Sequence, residues 1–178
     1  MKKTALLVID VQEGIVNDPY FPMFESDLLI ECINRLIDAF RQVDQPIVFI
    51  RHTEGAGSPL QEGLPTWQLD ARIHVQPNDV MVNKTTPDSF YRTDLLAWLK
   101  AHTITDITVC GLQTDFCIDT TTRSAFSHDL RVTLIADAHS TCDSGDIKAS
   151  AIIEHHNRVL GSWFALVKTT DDVLATIH

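Results

Sequence analysis

The chain has 178 residues, of which 44% are hydrophobic and 21% are charged, a balance typical of one soluble globular domain spanning residues 1–178. Its 24 acidic and 14 basic residues give a net charge of −10, which argues against partners such as nucleic acid or an anionic membrane surface. No apolar run is long enough to span a bilayer, and Asp10 interrupts the first one where a signal peptide would need its apolar stretch. We therefore expect a cytoplasmic protein.

Short apolar runs alternate with amphipathic segments from one end of the chain to the other. The first run predicts a strand over Thr4–Ile9, and the next segment predicts a helix over 28–43 with Ser26 as its cap. Further strands are predicted at 46–50, 80–82, 107–111, 132–136 and 164–168, and further helices at 94–102, 117–128, 144–158 and after Asp171. This alternation predicts an α/β fold in which helices cover both faces of a parallel sheet.

The segment 52–78 is the longest stretch without a regular pattern. Its glycines and prolines are typical of a binding loop or a lid. In a parallel sheet of this type, sites form at the carboxyl ends of the strands, so side chains that follow a strand are the first candidates for chemistry.

Three such side chains are Asp10, Lys84 and Cys117, which follow the first, third and fourth predicted strands. Each alone has a structural explanation: a turn-capping acid, a solvated lysine and a small buried thiol. Together they supply a nucleophile, a base and a cation that favours the thiolate. Because Cys117 is predicted to open a helix, the helix dipole and Lys84 should outweigh Asp10, and we predict a lowered pKa for Cys117.

Three segments of the sequence resemble one known family along nearly the whole chain. They are ALLVIDVQEGI, VNKTTPDSFYRTDLLAWL and VCGLQTDFCIDTTTRSAF, the last of which contains a G-x-x-T-x-x-C block. The sequence is similar to the isochorismatase-like cysteine hydrolases, which include nicotinamidases, N-carbamoylsarcosine amidohydrolases and ureidoacrylate amidohydrolases. The resemblance implies a three-layer α/β/α fold with a six-stranded parallel sheet of order 3-2-1-4-5-6.

The resemblance also implies roles for individual residues. Cys117 would be the nucleophile, Asp10 the general base and Lys84 its cationic partner. A cis peptide bond between Leu112 and Gln113 would help to direct the backbone N–H groups of Gln113 and Cys117 at the carbonyl oxygen. No organic cofactor is required, and the family implies a homo-oligomer, a dimer or larger.

The implied reaction is cleavage of the C–N bond of a small amide or carbamoyl substrate through a thioester. One alternative is a vinyl-ether hydrolase of the isochorismatase type, which would use Asp10 without a covalent intermediate. A receiver-like phosphorylation module would need an aspartate after the third strand, where this chain has Asn83 and Lys84. A noncatalytic binding protein on the same fold is the remaining alternative.

A metal site is not expected. The nicotinamidase pattern, Asp-x-His with a second histidine, is absent after the second strand, where the chain has Arg51, His52, Thr53 and Glu54. His52 and His74 are instead predicted to lie in the loop or to face substrate. His155 and His156 are adjacent on a helix and point in different directions, so they cannot act as a ligand pair.

The remaining candidates concern the pocket wall and the other cysteines. The residues predicted to bind substrate are Gln12, Trp67, Phe90 and Phe116, and Phe21 and Tyr91 lie near them in the sequence. Cys32 and Cys110 are predicted to be core residues. Cys142 follows the fifth strand and is predicted to be either a spectator or a residue at the rim of the site.

Overall fold

A computed structural model describes residues 3–177 and contains one six-stranded sheet. The strands are β1 (Thr4–Ile9), β2 (Ile47–His52), β3 (Val80–Lys84), β4 (Asp106–Leu112), β5 (Arg131–Ser140) and β6 (Leu166–Lys168). All neighbouring strands are parallel, and their order is β3-β2-β1-β4-β5-β6. The predicted strand order is therefore confirmed.

Helices cover both faces of this sheet. They are α1 (Glu13–Val16), α2 (Ser26–Gln42), α3 (Leu95–Ala101), α4 (Asp119–Ser127), α5 (Ala149–Trp163) and α6 (Thr170–Leu174). A 3-10 turn spans Pro65–Trp67 within the predicted loop, and a π-helical turn spans Thr114–Ile118 between β4 and α4. No helix within residues 3–177 has both the length and the apolar character needed to cross a bilayer.

The alternation of side chains along β1 explains the three layers. Leu6 and Val8 pack on one face against α2 and α6, whereas Leu7 and Ile9 pack on the other face in a cluster with residues of α3, α4 and α5. Every residue from Ala5 to Ile9 is fully buried, as expected for a central strand with both faces covered. The predicted three-layer α/β/α class is confirmed.

Two helices begin later than the sequence pattern predicts. Ser144 and Ile147 exchange two backbone hydrogen bonds in a tight turn, so α5 starts only at Ala149, whose N–H is accepted by the Asp143 carboxylate at 2.9 Å. The helix predicted over 117–128 is preceded by the π-helical turn, and its regular part begins at Asp119. At α5, a local turn thus replaces the first helical turn that the sequence pattern predicts.

Candidate active site

Asp10, Lys84 and Cys117 meet at the carboxyl edge of the sheet. Asp10 is the first residue after β1, Lys84 is the last residue of β3, and Cys117 lies in the π-helical turn that follows β4. Asp10 has a φ of 53°, which turns the chain away from the sheet directly after β1. The strand order places β2 between β1 and β3, so its last residue, His52, lies beside the same three side chains.

The Lys84 ammonium contacts all three of its neighbours. Its Nζ donates to Asp10 Oδ2 at 2.6 Å and to Cys117 Sγ at 3.2 Å, and it lies 3.2 Å from His52 Nδ1. The Lys84 side chain is fully buried. An ammonium has three N–H donors, so these three acceptors satisfy it completely.

This geometry requires a neutral His52. Nδ1 accepts from the lysine, so the ring proton lies on Nε2, which is 3.6 Å from Glu54 Oε1. Burial, reinforced by the neighbouring Lys84 charge, lowers the pKa of His52. His52 was predicted to be a loop or substrate-facing residue, and the structure places it in direct contact with the buried lysine.

The electrostatics of Cys117 differ from the sequence prediction. The pKa of its thiol is raised to about 12: burial makes the largest contribution, the Asp10 carboxylate adds to it, and Lys84 opposes both. The prediction of a lowered pKa is therefore wrong. The prediction placed Cys117 at an open helix terminus, but the residue is 8% exposed within the π-helical turn, so the cost of desolvation dominates.

Asp10 keeps one oxygen without a hydrogen bond. Oδ2 binds Lys84, whereas the buried Oδ1 has no hydrogen-bond partner among residues 3–177. A buried acceptor without a donor is unusual. One carboxylate oxygen of Asp10 lies within 4.8 Å of Cys117 Sγ, so Asp10 offers an unpaired acceptor close to the thiol.

The close approach of β4 to the end of β1 determines the backbone conformation at the end of β4, near Asp10. Gly111 has a φ of +119°, and a Cβ at this position would lie 2.1 Å from the carbonyl oxygen of Ile9. The peptide bond one residue further on, between Leu112 and Gln113, is cis. Only glycine fits where β4 passes this close to the end of β1.

A series of hydrogen-bonded polar side chains connects the π-helical turn to β5 and α5. His139, at the end of β5, lies 2.8 Å from Thr114 Oγ1 through Nδ1 and 2.9 Å from Asn157 Oδ1 through Nε2. The amide oxygen of Asn157 can only accept, so the ring proton lies on Nε2 and the Thr114 hydroxyl donates to Nδ1. Burial lowers the pKa of His139 to about 4, which keeps the ring neutral.

A cavity of about 660 Å³ opens above the reactive side chains. Its size is typical of a site for a small molecule. Asp10, His52 and Cys117 line it together with residues from several segments, among which are Ile15, Asp18, Phe21, Met23, Glu54, Leu60, Pro87, Gln113, Asp115, Phe116, Cys142 and Asp143. Cys142 is thus a wall residue, one of the two alternatives that the sequence left open.

Of the four predicted wall residues, only Phe116 lines this cavity. Gln12 is fully buried, and its amide ties the chain together through the His52 backbone and the carbonyl of Trp67. Trp67 is buried beneath the Arg51 guanidinium, with its Nε1 donating to Thr53 Oγ1.

Phe90 lies in the core and stacks edge-on against His128. The interpretation of Gln12, Trp67 and Phe90 as wall residues is therefore corrected. These aromatic and amide side chains are close to the reactive residues in the sequence. They are buried in contacts within the protein and do not face the cavity. Tyr91 also lies outside the lining, whereas Phe21 belongs to it.

Three side chains of this site are candidate metal ligands. Asp10, His52 and Cys117 bring ligand atoms within 4.8 Å of one another, but the Lys84 ammonium contacts all three groups. A divalent cation among them would face this buried positive charge at close range, so the donor set does not fit a metal while Lys84 is protonated. His74 lies elsewhere and contacts Asp38 at 3.1 Å.

Residues 4–161 match the model of the isochorismatase domain. The chain belongs to the isochorismatase family. It is an isochorismatase-family hydrolase with amidohydrolase relatives. A streptothricin hydrolase of Streptomyces noursei is 30% identical over 78% of this chain, which spans 55% of that relative. An uncharacterized isochorismatase family protein of Bacillus subtilis is 27% identical over 96% of this chain and 98% of its own length.

Solved structures of the family superimpose closely on this fold. An isochorismatase family protein with 32% identity has a TM-score of 0.89 and covers 95% of this chain and 99% of its own. An isochorismatase from Pseudomonas putida with 28% identity also has a TM-score of 0.89, covering 97% of this chain and 91% of its own.

Proposed function

We propose that the protein hydrolyses the C–N bond of a small amide or carbamoyl compound, with Cys117 as the nucleophile and Asp10 as the general base. The observation that carries the proposal is the buried contact of Lys84 with both Asp10 (2.6 Å) and Cys117 (3.2 Å) at the floor of a cavity. Two relatives support the reaction type by name: ureidoacrylate amidohydrolase of Variovorax paradoxus (24% identical) and nicotinamidase 3 of Arabidopsis thaliana (29%).

The proposed first step transfers the thiol proton to Asp10 as sulfur attacks the carbonyl carbon. Since the pKa of Cys117 is raised, the resting group is a thiol, and attack requires a base in contact with it. Oδ1 of Asp10, which has no donor among residues 3–177, is the atom that would take the proton. Lys84 keeps Asp10 ionised before the step and offsets charge as the proton moves.

The negative charge that develops on the carbonyl oxygen needs donors. We assign this role to the backbone N–H groups of Gln113 and Cys117, at the two sides of the π-helical turn. The C–N bond then breaks, and the leaving nitrogen takes the proton from Asp10. Water, deprotonated by Asp10, attacks the thioester, releasing a carboxylic or carbamic acid and restoring the thiol.

The proposal is tested by measuring ammonia release from primary carboxamides, carbamoyl compounds and ureides, with Cys117→Ala as the blank. We expect turnover by the wild-type protein and a loss of at least about a thousandfold in the variant, because a nucleophile has no substitute in this site. Added hydroxylamine should divert the acyl group to a hydroxamate if a thioester forms. Activity should persist after dialysis against EDTA.

The same screen separates the alternatives. Pyruvate release from isochorismate that survives in Cys117→Ala would establish the vinyl-ether reaction and overturn the covalent mechanism. Tight binding of a small molecule without any turnover would instead establish a noncatalytic protein.

A further inference from the structure

Among residues 3–177, the cavity that holds the proposed reaction centre is lined by carboxylates and by no lysine or arginine. Besides Asp10, the acidic lining residues are Asp18, Glu54, Asp115 and Asp143. Lys84 is fully buried, and its three donors are already directed at the lining residues Asp10, His52 and Cys117. His52 is neutral, so it does not offset the negative charge.

Of these four carboxylates, one has a lysine or arginine partner in the part of the chain that the structure describes. Asp143 pairs with Lys148 at 2.6 Å, so its charge is offset at the surface. Asp18, Glu54 and Asp115 form no ion pair with a lysine or arginine among residues 3–177. Within the described part of the chain, three carboxylates of the cavity lining therefore have no lysine or arginine partner.

These three carboxylates are held in place by neutral donors. Asp18 Oδ1 accepts from the backbone N–H groups of Tyr20 and Phe21, and Asp115 Oδ1 accepts from the Thr141 hydroxyl at 2.7 Å. Glu54 Oε2 accepts from the Ser58 hydroxyl. Neutral donors orient the carboxylates without removing their charge, so the charge remains available to a ligand.

A separate observation at the floor also indicates a donor-bearing ligand. Asp10 is 1% exposed, lines the cavity, and its Oδ1 has no hydrogen-bond partner in the described part of the chain. Apolar side chains also line the cavity: Ile15, Phe21, Met23, Leu60 and Phe116. The cavity thus combines the candidate reactive residues with an apolar and an acidic lining.

We propose that the substrate carries a positively charged group at the end remote from the bond that is cleaved, an inference that rests on the proposed function. The group would be an ammonium, an amidinium or a guanidinium. Asp18, Glu54 and Asp115 would bind this group while the apolar lining residues contact the body of the molecule. A substrate carboxylate would meet three like charges with no cation to offset them. The site therefore discriminates against anionic amides.

The charge of the cavity is tested with thiol reagents of opposite charge, which need no amide turnover. In a Cys142→Ala background, Cys117 is modified by 2-aminoethyl methanethiosulfonate, a cation, or by the 2-sulfonatoethyl reagent, an anion. In each case the thiolate forms a disulfide and methanesulfinate leaves. Peptide mass mapping follows the rate at which each reagent modifies Cys117. The ratio of the cationic to the anionic rate is then divided by the same ratio for N-acetylcysteine methyl ester.

We expect a normalised ratio of about ten or more in favour of the cation, because a cavity lined by charge of one sign concentrates the opposite charge. The triple variant Asp18→Asn, Glu54→Gln and Asp115→Asn removes these three charges. It should lower the normalised ratio until only the contribution of Asp10 is left. The matched control combines Asp44→Asn, Asp129→Asn and Glu31→Gln, which remove the same charges from residues outside the lining. The control should retain the wild-type ratio.

A normalised ratio near one, or a ratio that is the same in the cavity triple variant and in the wild type, would overturn the proposal. Raising the salt concentration should reduce the ratio, since screening weakens attraction between exposed charges. A second measurement compares ammonia release from 4-(aminomethyl)benzamide, 4-methylbenzamide and 4-carboxybenzamide. We expect the highest kcat/KM for the cationic amide and the lowest for the anionic one.

The two measurements separate two kinds of failure. If the neutral or anionic amide is hydrolysed faster than the cationic one, the charge proposal fails while the amidase function stands. If Cys117 prefers the cationic reagent but none of the amides in the wider screen is hydrolysed, the amidase function fails while the charge preference of the cavity stands.

Discussion

At the scale of single residues, Lys84 holds the candidate active site together through one ammonium group. A buried ammonium is costly unless its donors are satisfied, and Asp10, His52 and Cys117 satisfy all three. The same contacts affect the titration of two neighbours: burial and the Lys84 charge lower the pKa of His52, and Cys117 lies between a carboxylate that raises the pKa of its thiol and a lysine that lowers it.

This balance predicts how the reactivity of the thiol depends on pH. Because the pKa of Cys117 is raised to about 12, labelling by iodoacetamide should still be increasing at pH 10. Asp10→Asn should raise the rate at pH 8, by about tenfold for each unit by which the pKa falls, since a charge that opposes the thiolate is removed. Lys84→Met should lower the rate.

Labelling rates, with peptide mass mapping to separate Cys117 from the other three thiols, provide the measurement. A labelling midpoint at or below the ordinary cysteine value of about 8.5 would contradict the buried-thiol interpretation. Opposite shifts in the two variants would show that the contributions of Asp10 and Lys84 are reversed.

At the scale of elements, the contact between β1 and β4 depends on Gly111. Alanine at this position would place Cβ 2.1 Å from the Ile9 carbonyl oxygen, within the backbone of the central strand, so no side-chain movement can relieve the clash. We expect Gly111→Ala to lower the free energy of unfolding by more than about 3 kcal/mol.

Gly57 provides the matched control for this substitution. It also has a positive φ, of +89°, but a Cβ there would meet nothing within 4 Å. Gly57→Ala should cost only the backbone strain of about 1–2 kcal/mol. Urea unfolding of both variants is the measurement, and equal losses would show that conformation, rather than the approach to β1, determines the effect at Gly111.

The chain of hydrogen bonds from Thr114 through His139 to Asn157 connects the π-helical turn to β5 and α5. Burial lowers the pKa of His139 to about 4 in the folded state, against about 6.5 when the chain is unfolded. Between these values the unfolded chain binds a proton that the folded chain does not. Stability should therefore fall as the pH decreases from about 6.5 to about 4 and level off below that.

The contribution of His139 to this loss is about 3 kcal/mol at most. The test compares the free energy of unfolding of the wild type with that of His139→Gln between pH 7.5 and pH 4.5. The variant should be less stable at pH 7.5, and the difference should shrink as the pH falls. A difference that is independent of pH would show that His139 titrates normally.

Sequence patterns predicted the elements best where burial alone determines them. The apolar run of β1 was predicted with its observed bounds, because a strand buried on both faces leaves no choice of residue type. The start of α5 was predicted five residues early, since Ser144 resembles a helix cap but takes part in a tight turn with Ile147. A serine can serve in either role, so its residue type alone does not distinguish a helix cap from a turn.

At the scale of the whole molecule, the sheet topology explains why some site residues could be predicted. Strand ends meet at one edge, so Asp10, Lys84 and Cys117 were identifiable from their positions after apolar runs. The contact of His52 with Lys84 depends on which strands are neighbours and on how the side chains turn. The acidic wall could not be predicted either, because Asp18 and Asp115 come from segments far apart in the sequence.

The surface beside the cavity predicts an assembly larger than one chain. Apolar side chains of the segment between α1 and α2 and of the first turn of α2 are left exposed: Tyr20 (84%), Phe21 (60%), Phe24 (39%) and Leu28 (48%). A concentration of large apolar groups within nine residues is typical of an interface between proteins. We name these four residues the 20–28 patch and expect it to lie between copies of the chain.

The expected state at micromolar concentration is a dimer or a larger oligomer, measured by sedimentation velocity. Tyr20→Glu combined with Phe24→Glu should shift the protein to monomers, because burying two unpaired carboxylates would cost more than the patch can offset. Trp163→Glu is the control, since Trp163 is 74% exposed at the end of α5 and lies outside the patch. A wild-type monomer would contradict the expectation, and dissociation by Trp163→Glu alone would move the interface to α5.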